Sequence, residues 1–72
     1  MDKQSRFISV NAKFVHDMIG LIIVDYNWWF INEAEVKSWC NETMKDGWVR
    51  QGMIINFDNE ENRLQFLLRW GS

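Results

Sequence analysis

Proline is absent from this chain of 72 residues, and cysteine and histidine each occur once, as Cys40 and His16. One cysteine cannot form a disulfide within the chain. With one histidine it also falls short of the roughly four Cys or His ligands of a structural zinc site. We therefore expect a fold that holds no metal and no cofactor. Apolar packing or self-association must then stabilise it, since so small a domain has few other options.

Long apolar runs and blocks of like charge are also missing. The longest apolar runs, residues 19–24 and 28–31, are much shorter than the roughly 20 residues that cross a bilayer. The polar N-terminus predicts no signal peptide, and an unpaired cysteine fits a reducing compartment, so we expect a cytoplasmic protein without a membrane partner. The net charge of −2 is unfavourable for a nucleic-acid binder, which usually carries a basic patch.

Aromatic side chains are abundant instead, with five tryptophans and five phenylalanines. Each large aromatic side chain can bury about 150–250 Å². A single domain over residues 1–72 can therefore build a hydrophobic core, while the mostly polar residues 1–5 are expected to form a disordered N-terminal tail.

The first half of the chain predicts two strands joined by a turn at residues 16–20. Residues 6–15 alternate between apolar and polar side chains, which is typical of a half-buried strand, although a helix from Asn11 is an alternative. Residues 21–30 predict a central strand, because both of its faces begin apolar. One face of this second strand carries Ile22, Val24, Tyr26, Trp28 and Phe30.

A capping-box pattern at Asn32 and Glu35 predicts the start of a helix that runs to about Asp46. Gly47 is expected to be the left-handed residue that ends it. The predicted inner stripe of this helix consists of Val36, Trp39, Cys40, Thr43 and Met44.

Residues 48–57 alternate again and predict a third strand, in which Gly52 indicates a bulge. Asp58 and Glu61 then predict the N-cap of a last helix, which runs to about Arg69 and is ended by Gly71. Its predicted inner stripe is Leu64, Leu67 and Leu68, with Phe66 and Trp70 on an adjoining strip. The predicted fold is α+β, a two-layer ββαβα sandwich in which two helices cover one face of a three-stranded sheet, with the second and third strands parallel.

The C-terminal sequence FDNEENRLQFLLRW (residues 57–70) resembles the end of short, mostly uncharacterised proteins of T-even-type tailed bacteriophages, cyanophages among them. Those proteins end in a strand, an acidic cap and an F-x-L-R-W helix. An upstream helix with a Trp-Cys pair, here Trp39 and Cys40, is also similar. The resemblance covers about residues 28–70. It implies a phage source and an accessory role in the host cytoplasm. It does not point to a particular activity, because the proteins of this family are largely unassigned.

Catalytic and metal-binding groups are not indicated by the sequence. Cys40 and His16 could form a nucleophile–base pair, but Cys40 lies on a predicted inner stripe and His16 in a predicted turn, with no third group to orient them. The carboxylates cluster at two helix starts, where capping and the helix dipole explain them. We therefore expect a protein that is not an enzyme.

The excess of tryptophan predicts a binding surface. Adjacent strand residues point to opposite faces, so Trp29 would lie on the open face of the sheet if Trp28 packs under the helices. An exposed aromatic patch usually indicates a binding site. The candidate binding residues are Trp29, Trp48, Arg50, Tyr26 and Trp70.

The favoured partner of this surface is another protein, from the host or the phage, whose enzyme activity the chain could modulate. A homodimer and single-stranded nucleic acid are the alternatives, the latter because Arg6 and Lys13 could lie beside the aromatic side chains. The alternative without a binding role is that Trp29 only covers the open face of the sheet.

Overall fold

The described part of the chain forms two successive ββα units. A computed structural model describes residues 5–10 and 18–71. The first unit contains strands β1 (Phe7–Ser9) and β2 (Ile19–Ile23) and helix α1 (Tyr26–Met44). The second contains strands β3 (Trp48–Gln51) and β4 (Ile54–Phe57) and helix α2 (Glu60–Trp70). The predicted α+β class is confirmed, and the order is ββαββα rather than ββαβα.

The four strands form one antiparallel sheet in the order β1-β2-β4-β3. Each unit supplies an outer first strand and an inner second strand, and the two inner strands pair with Leu21 opposite Ile55. The prediction of three strands and of a parallel pair is therefore wrong. The parallel pair depended on a single crossover helix between two strands. Here both α1 and the additional strand β3 lie between β2 and β4, and this added reversal of the chain makes the β2–β4 pair antiparallel.

Residues 48–57 form the β3–β4 hairpin instead of one strand. Gly52 has a φ of +62° and lies in the turn, where a left-handed backbone favours glycine. The predicted bulge is thus the point at which the chain reverses. β3 alternates in burial, whereas Ile55, Asn56 and Phe57 of β4 are all buried.

The predicted strand over residues 21–30 ends early, at Ile23. Asp25 is the N-cap of α1, and its Oδ1 accepts a hydrogen bond of 3.0 Å from the backbone N–H of Trp28. Asn32, the predicted N-cap, lies inside α1 and donates to the carbonyl of Trp28. Aromatic and β-branched side chains favour strands locally, but the cap at Asp25 and burial of Trp29 stabilise the helix here.

The ends of the helices also differ from the prediction. α1 ends at Met44, and the residue with positive φ is Lys45, at 56°, rather than Gly47. A side chain at Gly47 would instead crowd Asn62, because its Cβ would lie 2.9 Å from that residue's Nδ2. The N-cap of α2 is Asn59 and not Asp58, and Gly71 ends the helix as predicted.

Both helices cover the same face of the sheet, as predicted. The ring of Phe7 on β1 contacts both helices. It lies 5.5 Å from the ring of Trp28 on α1 and 5.0 Å from the ring of Phe66 on α2. The core between the layers contains Phe7, Leu21, Ile23, Trp29, Val36, Cys40, Met44, Ile55, Phe57, Phe66 and Trp70.

The predicted inner stripe of α2 is wrong in part, because Leu67 packs against the core but Leu64 and Leu68 are exposed. Phe66 and Trp70, which were placed on an adjoining strip, are buried. Two apolar pairs at a spacing of four residues compete on this short helix, and its sequence does not decide which pair faces the sheet. In α1 the predicted Val36, Cys40 and Met44 are buried, but Thr43 is exposed. The predictions for residues 1–4 and 11–17, including most of the tail and the helix alternative at Asn11, lie outside the described residues.

Candidate binding surface

The side chain of Trp29 lies in the core between α1 and the sheet, with 1% of its surface exposed. The prediction that it lies on an open sheet face is therefore wrong. That prediction depended on a strand at residues 21–30, where neighbouring side chains alternate. In a helix, Trp28 and Trp29 are only about 100° apart, so both enter the protein interior, at a ring distance of 6.5 Å.

Arg50 lies beside Trp29, but on the helix-covered face of the sheet. Its guanidinium carbon is 5.6 Å from the centre of the Trp29 ring, and Nη2 is 3.0 Å from the Glu33 carboxylate. Nη1 donates to the carbonyl of Gly52. These contacts give the Arg50 charge a structural role, because they join α1 to the turn of the second hairpin.

The other predicted tryptophans are also engaged. The indole nitrogen of Trp48 donates to Oδ1 of Asn41 at 3.1 Å. Trp70 is buried, lies 6.0 Å from Trp28 and 6.2 Å from Trp39, and is covered on one side by Arg69 at 4.0 Å. Edge-to-face packing of aromatic rings adds stability to the area that they bury. The tryptophan excess is therefore largely explained by the core.

Of the five candidate residues, Tyr26 is the exposed one, with 53% of its surface accessible. It is the first residue of α1 and lines a cleft of about 690 Å³. Ile8 and Val24, both exposed, lie in the same cleft, together with the polar residues Ser5, Asp25 and Asn27. The cleft thus combines aliphatic walls with a polar rim.

One turn further along α1, Phe30 and Ile31 are exposed to 70% and 82%. Phe30 is four residues after Tyr26 and so is its neighbour on the helix surface. Phe30 and Ile31 line a second, shallow groove of about 650 Å³ on α1, which continues over Ala34 and Ser38. We call the five exposed apolar residues of this region, Ile8, Val24, Tyr26, Phe30 and Ile31, the corner patch.

Sequence reasoning missed most of the corner patch because it placed Val24, Phe30 and Tyr26 on the inner face of a strand. An earlier N-cap was the missing signal. Asp25 stands three residues before Trp28, and Asn59 stands in the same way before Asn62. Reading Asp25 as a cap would have placed Phe30 and Ile31 on a helix, away from the buried stripe of Val36 and Cys40.

Two further side chains that the sequence analysis considered, Cys40 and Arg6, are held in packing contacts. Burial raises the pKa of the Cys40 thiol to about 12, so this thiol stays protonated and unreactive at neutral pH. Arg6 lies over the ring of Trp28 at 4.5 Å and donates to the carbonyl of Trp70, rather than lying on an open face. His16 and Lys13 lie outside the described residues.

The described residues contain no group of three His, Cys, Asp or Glu side chains arranged to hold a metal ion. None of their helices combines the length and apolar character that crossing a membrane requires.

Comparison with known proteins gives no family model, no curated protein and no solved structure that matches this chain.

Proposed function

We propose that the chain is a small protein-binding module and that the corner patch is its binding site. One observation carries this proposal: five of the eight large hydrophobic side chains exposed in the described part of the chain lie in this one region. The other three are Val49 on β3 and Leu64 and Leu68 on α2.

The size of the patch supports the proposal. The exposed fractions of the five side chains together amount to almost three fully exposed large side chains. The largest apolar patch of a typical monomer is about 300–600 Å² and is often functional. Phe30 and Ile31 are exposed beside three further exposed apolar side chains, which leaves a continuous apolar surface available to a partner.

A differential binding experiment tests the proposal. The double variant Phe30→Gln, Ile31→Gln removes the centre of the patch with a residue that helices tolerate. Leu68→Gln is the matched control, because Leu68 is 79% exposed on α2. Both variants should unfold within about 0.5 kcal/mol of the wild type, since they change exposed positions.

The resemblance to phage proteins makes a bacterial lysate the first source of partners, and a phage accessory role belongs to this proposal. We expect one protein to be retained by the wild type and by Leu68→Gln, to be lost with the double variant, and to bind the purified wild type directly. A partner that all three chains retain equally would show that binding lies elsewhere and would contradict the proposal.

Nucleic acid is not favoured by any observation. The hypothesis depended on an exposed Trp29 beside basic side chains, and Trp29 lies in the core. The exposed surface of α1 is acidic, with Glu33, Glu35 and Glu42 against Lys37, and acidic side chains repel phosphate.

A further inference from the structure

We infer that the partner of the corner patch is an amphipathic helix whose apolar face is flanked by lysine or arginine. This inference rests on the proposed function and adds to it the chemistry and the shape of the partner. It is derived from the charges that surround the patch and from the groove beside it.

The charges around the patch are mainly carboxylates. Asp25 lies in the cleft beside Tyr26, and Glu35 is exposed one turn after Ile31. Within the described residues Glu35 forms no ion pair, whereas the one cation of α1, Lys37, lies 3.9 Å from Glu33. The patch therefore presents apolar surface with a negative rim, which complements a partner with a positive rim.

The surface beside the patch is an exposed face of α1 that can receive a second helix. It carries the small residues Ala34 and Ser38, with Phe30 and Ile31 at one end, Asn41 at the other, and the paired Glu33 and Lys37 also lining it. Small residues allow a second helix to approach to the 8–10 Å axis separation that is usual for packed helices. Apolar side chains of the partner at a spacing of three or four residues would then contact Phe30, Ile31 and Ala34 along one line.

A second copy of this chain fits the same surface less well. A twofold contact through α1 would bring two acidic rims together, and like charges across an interface oppose association. An anionic membrane surface would meet the same repulsion. Charge thus selects a basic helical segment among the possible occupants.

Two synthetic peptides test the inference on the full chain. Both are amphipathic helices of about 18 residues, or five turns, with leucine on one face; one carries lysine at the flanking positions and the other glutamate. We expect the lysine peptide to bind about tenfold more tightly at low salt, and the difference to shrink as salt screens the charges.

Variants separate the charge of the patch from the charge of the whole protein. Glu35→Lys should remove most of the difference between the two peptides. Glu61→Lys makes the same change in net charge at an exposed position in the first turn of α2, which lines neither groove of the patch, and should preserve most of the difference. Equal effects of both variants would show an unspecific charge effect and would overturn the inference.

The outcomes also distinguish this inference from the proposed function. If Ile31→Gln weakens both peptides but the two wild-type affinities are equal, the charge inference fails while the patch still binds. If Ile31→Gln weakens neither peptide, the patch is not the binding site and both fail. A concentration-dependent dimer in light scattering that Ile31→Gln abolishes would overturn the inference in favour of a second copy.

Discussion

The two ββα units have the same element order but differ in the length and the surface of their helices. Each begins its helix with an Asx side chain that accepts from the third helical N–H, Asp25 in the first unit and Asn59 in the second. Yet α1 has nineteen residues and α2 has eleven. The extra length of α1 supports both the core, through Met44, and the exposed groove over Ala34 and Ser38.

The difference shows that a repeated architecture does not require a repeated sequence. The sheet order needs only two hairpins whose inner strands pair, and the helices need only one apolar stripe each. α2 balances its acidic first turn with Arg63 and Arg69, whereas α1 stays acidic and exposes Phe30 and Ile31. The first unit therefore carries the corner patch, which we propose as the binding site.

The largest expected effect concerns the core of the first unit. Trp29→Ala should lower the free energy of unfolding by about 3–5 kcal/mol, because it leaves a large cavity under α1. Urea denaturation followed by circular dichroism measures this loss. A variant that keeps wild-type stability would mean that Trp29 lies outside the core and would restore the sheet-face prediction.

The two N-caps provide a matched test of whether the units are equivalent. Asp25→Ala and Asn59→Ala should each cost about 1 kcal/mol, since each removes one hydrogen bond to an N-terminal N–H group. Asp25→Asn and Asn59→Asp keep the acceptor and are the controls. No loss for Asp25→Ala in thermal unfolding would indicate that α1 does not begin at Tyr26.

The turns of the two units should respond with opposite signs. Gly52 and Lys45 both have positive φ, at 62° and 56°. Gly52→Ala should cost about 1 kcal/mol, because an L side chain is strained there. Lys45→Gly should gain about 0.5 kcal/mol, since relief of strain exceeds the added entropy of the unfolded chain. Chemical denaturation of both variants checks the signs, and a stabilising Gly52→Ala would contradict this turn.

The smallest effect is a pH dependence at Cys40. Burial raises the thiol pKa from 9.0 to about 12, so only the unfolded chain ionises between these values. This thiol should thus leave stability unchanged below pH 9 and lower it as pH rises from 9 towards 12. Comparing the wild type with Cys40→Ala at pH 8 and pH 9.5 removes the contributions of other groups. If the stability of both proteins falls equally between pH 8 and pH 9.5, a group other than Cys40 causes the pH dependence.

Local patterns predicted much of the second unit and little of the α1 boundary. Residues 48–57 do form strands, and Gly71 does end α2, because alternation and helix stops are decided by near neighbours. Residues 26–31 are aromatic or β-branched apart from Asn27, and such a run favours a strand on local grounds. Burial of Trp29 against the sheet made them helical, and that contact involves residues distant in sequence.

The candidate site depended on the same boundary. Tyr26 was predicted and is exposed, whereas Trp29, Arg50 and Trp70 were assigned to a surface and are held in packing contacts. Phe30 and Ile31 could not be identified while residues 21–30 were taken as a strand.

By itself the sequence determined the α+β class, a core rich in aromatic side chains and two helices on one face of the sheet, because apolar spacing and composition depend only on the order of the residues. The tertiary structure decided the number of strands, their antiparallel pairing and which apolar side chains remain exposed. Those outcomes depend on which of several competing apolar faces packs against a distant part of the chain, and in α1 and α2 the local pattern allowed more than one answer.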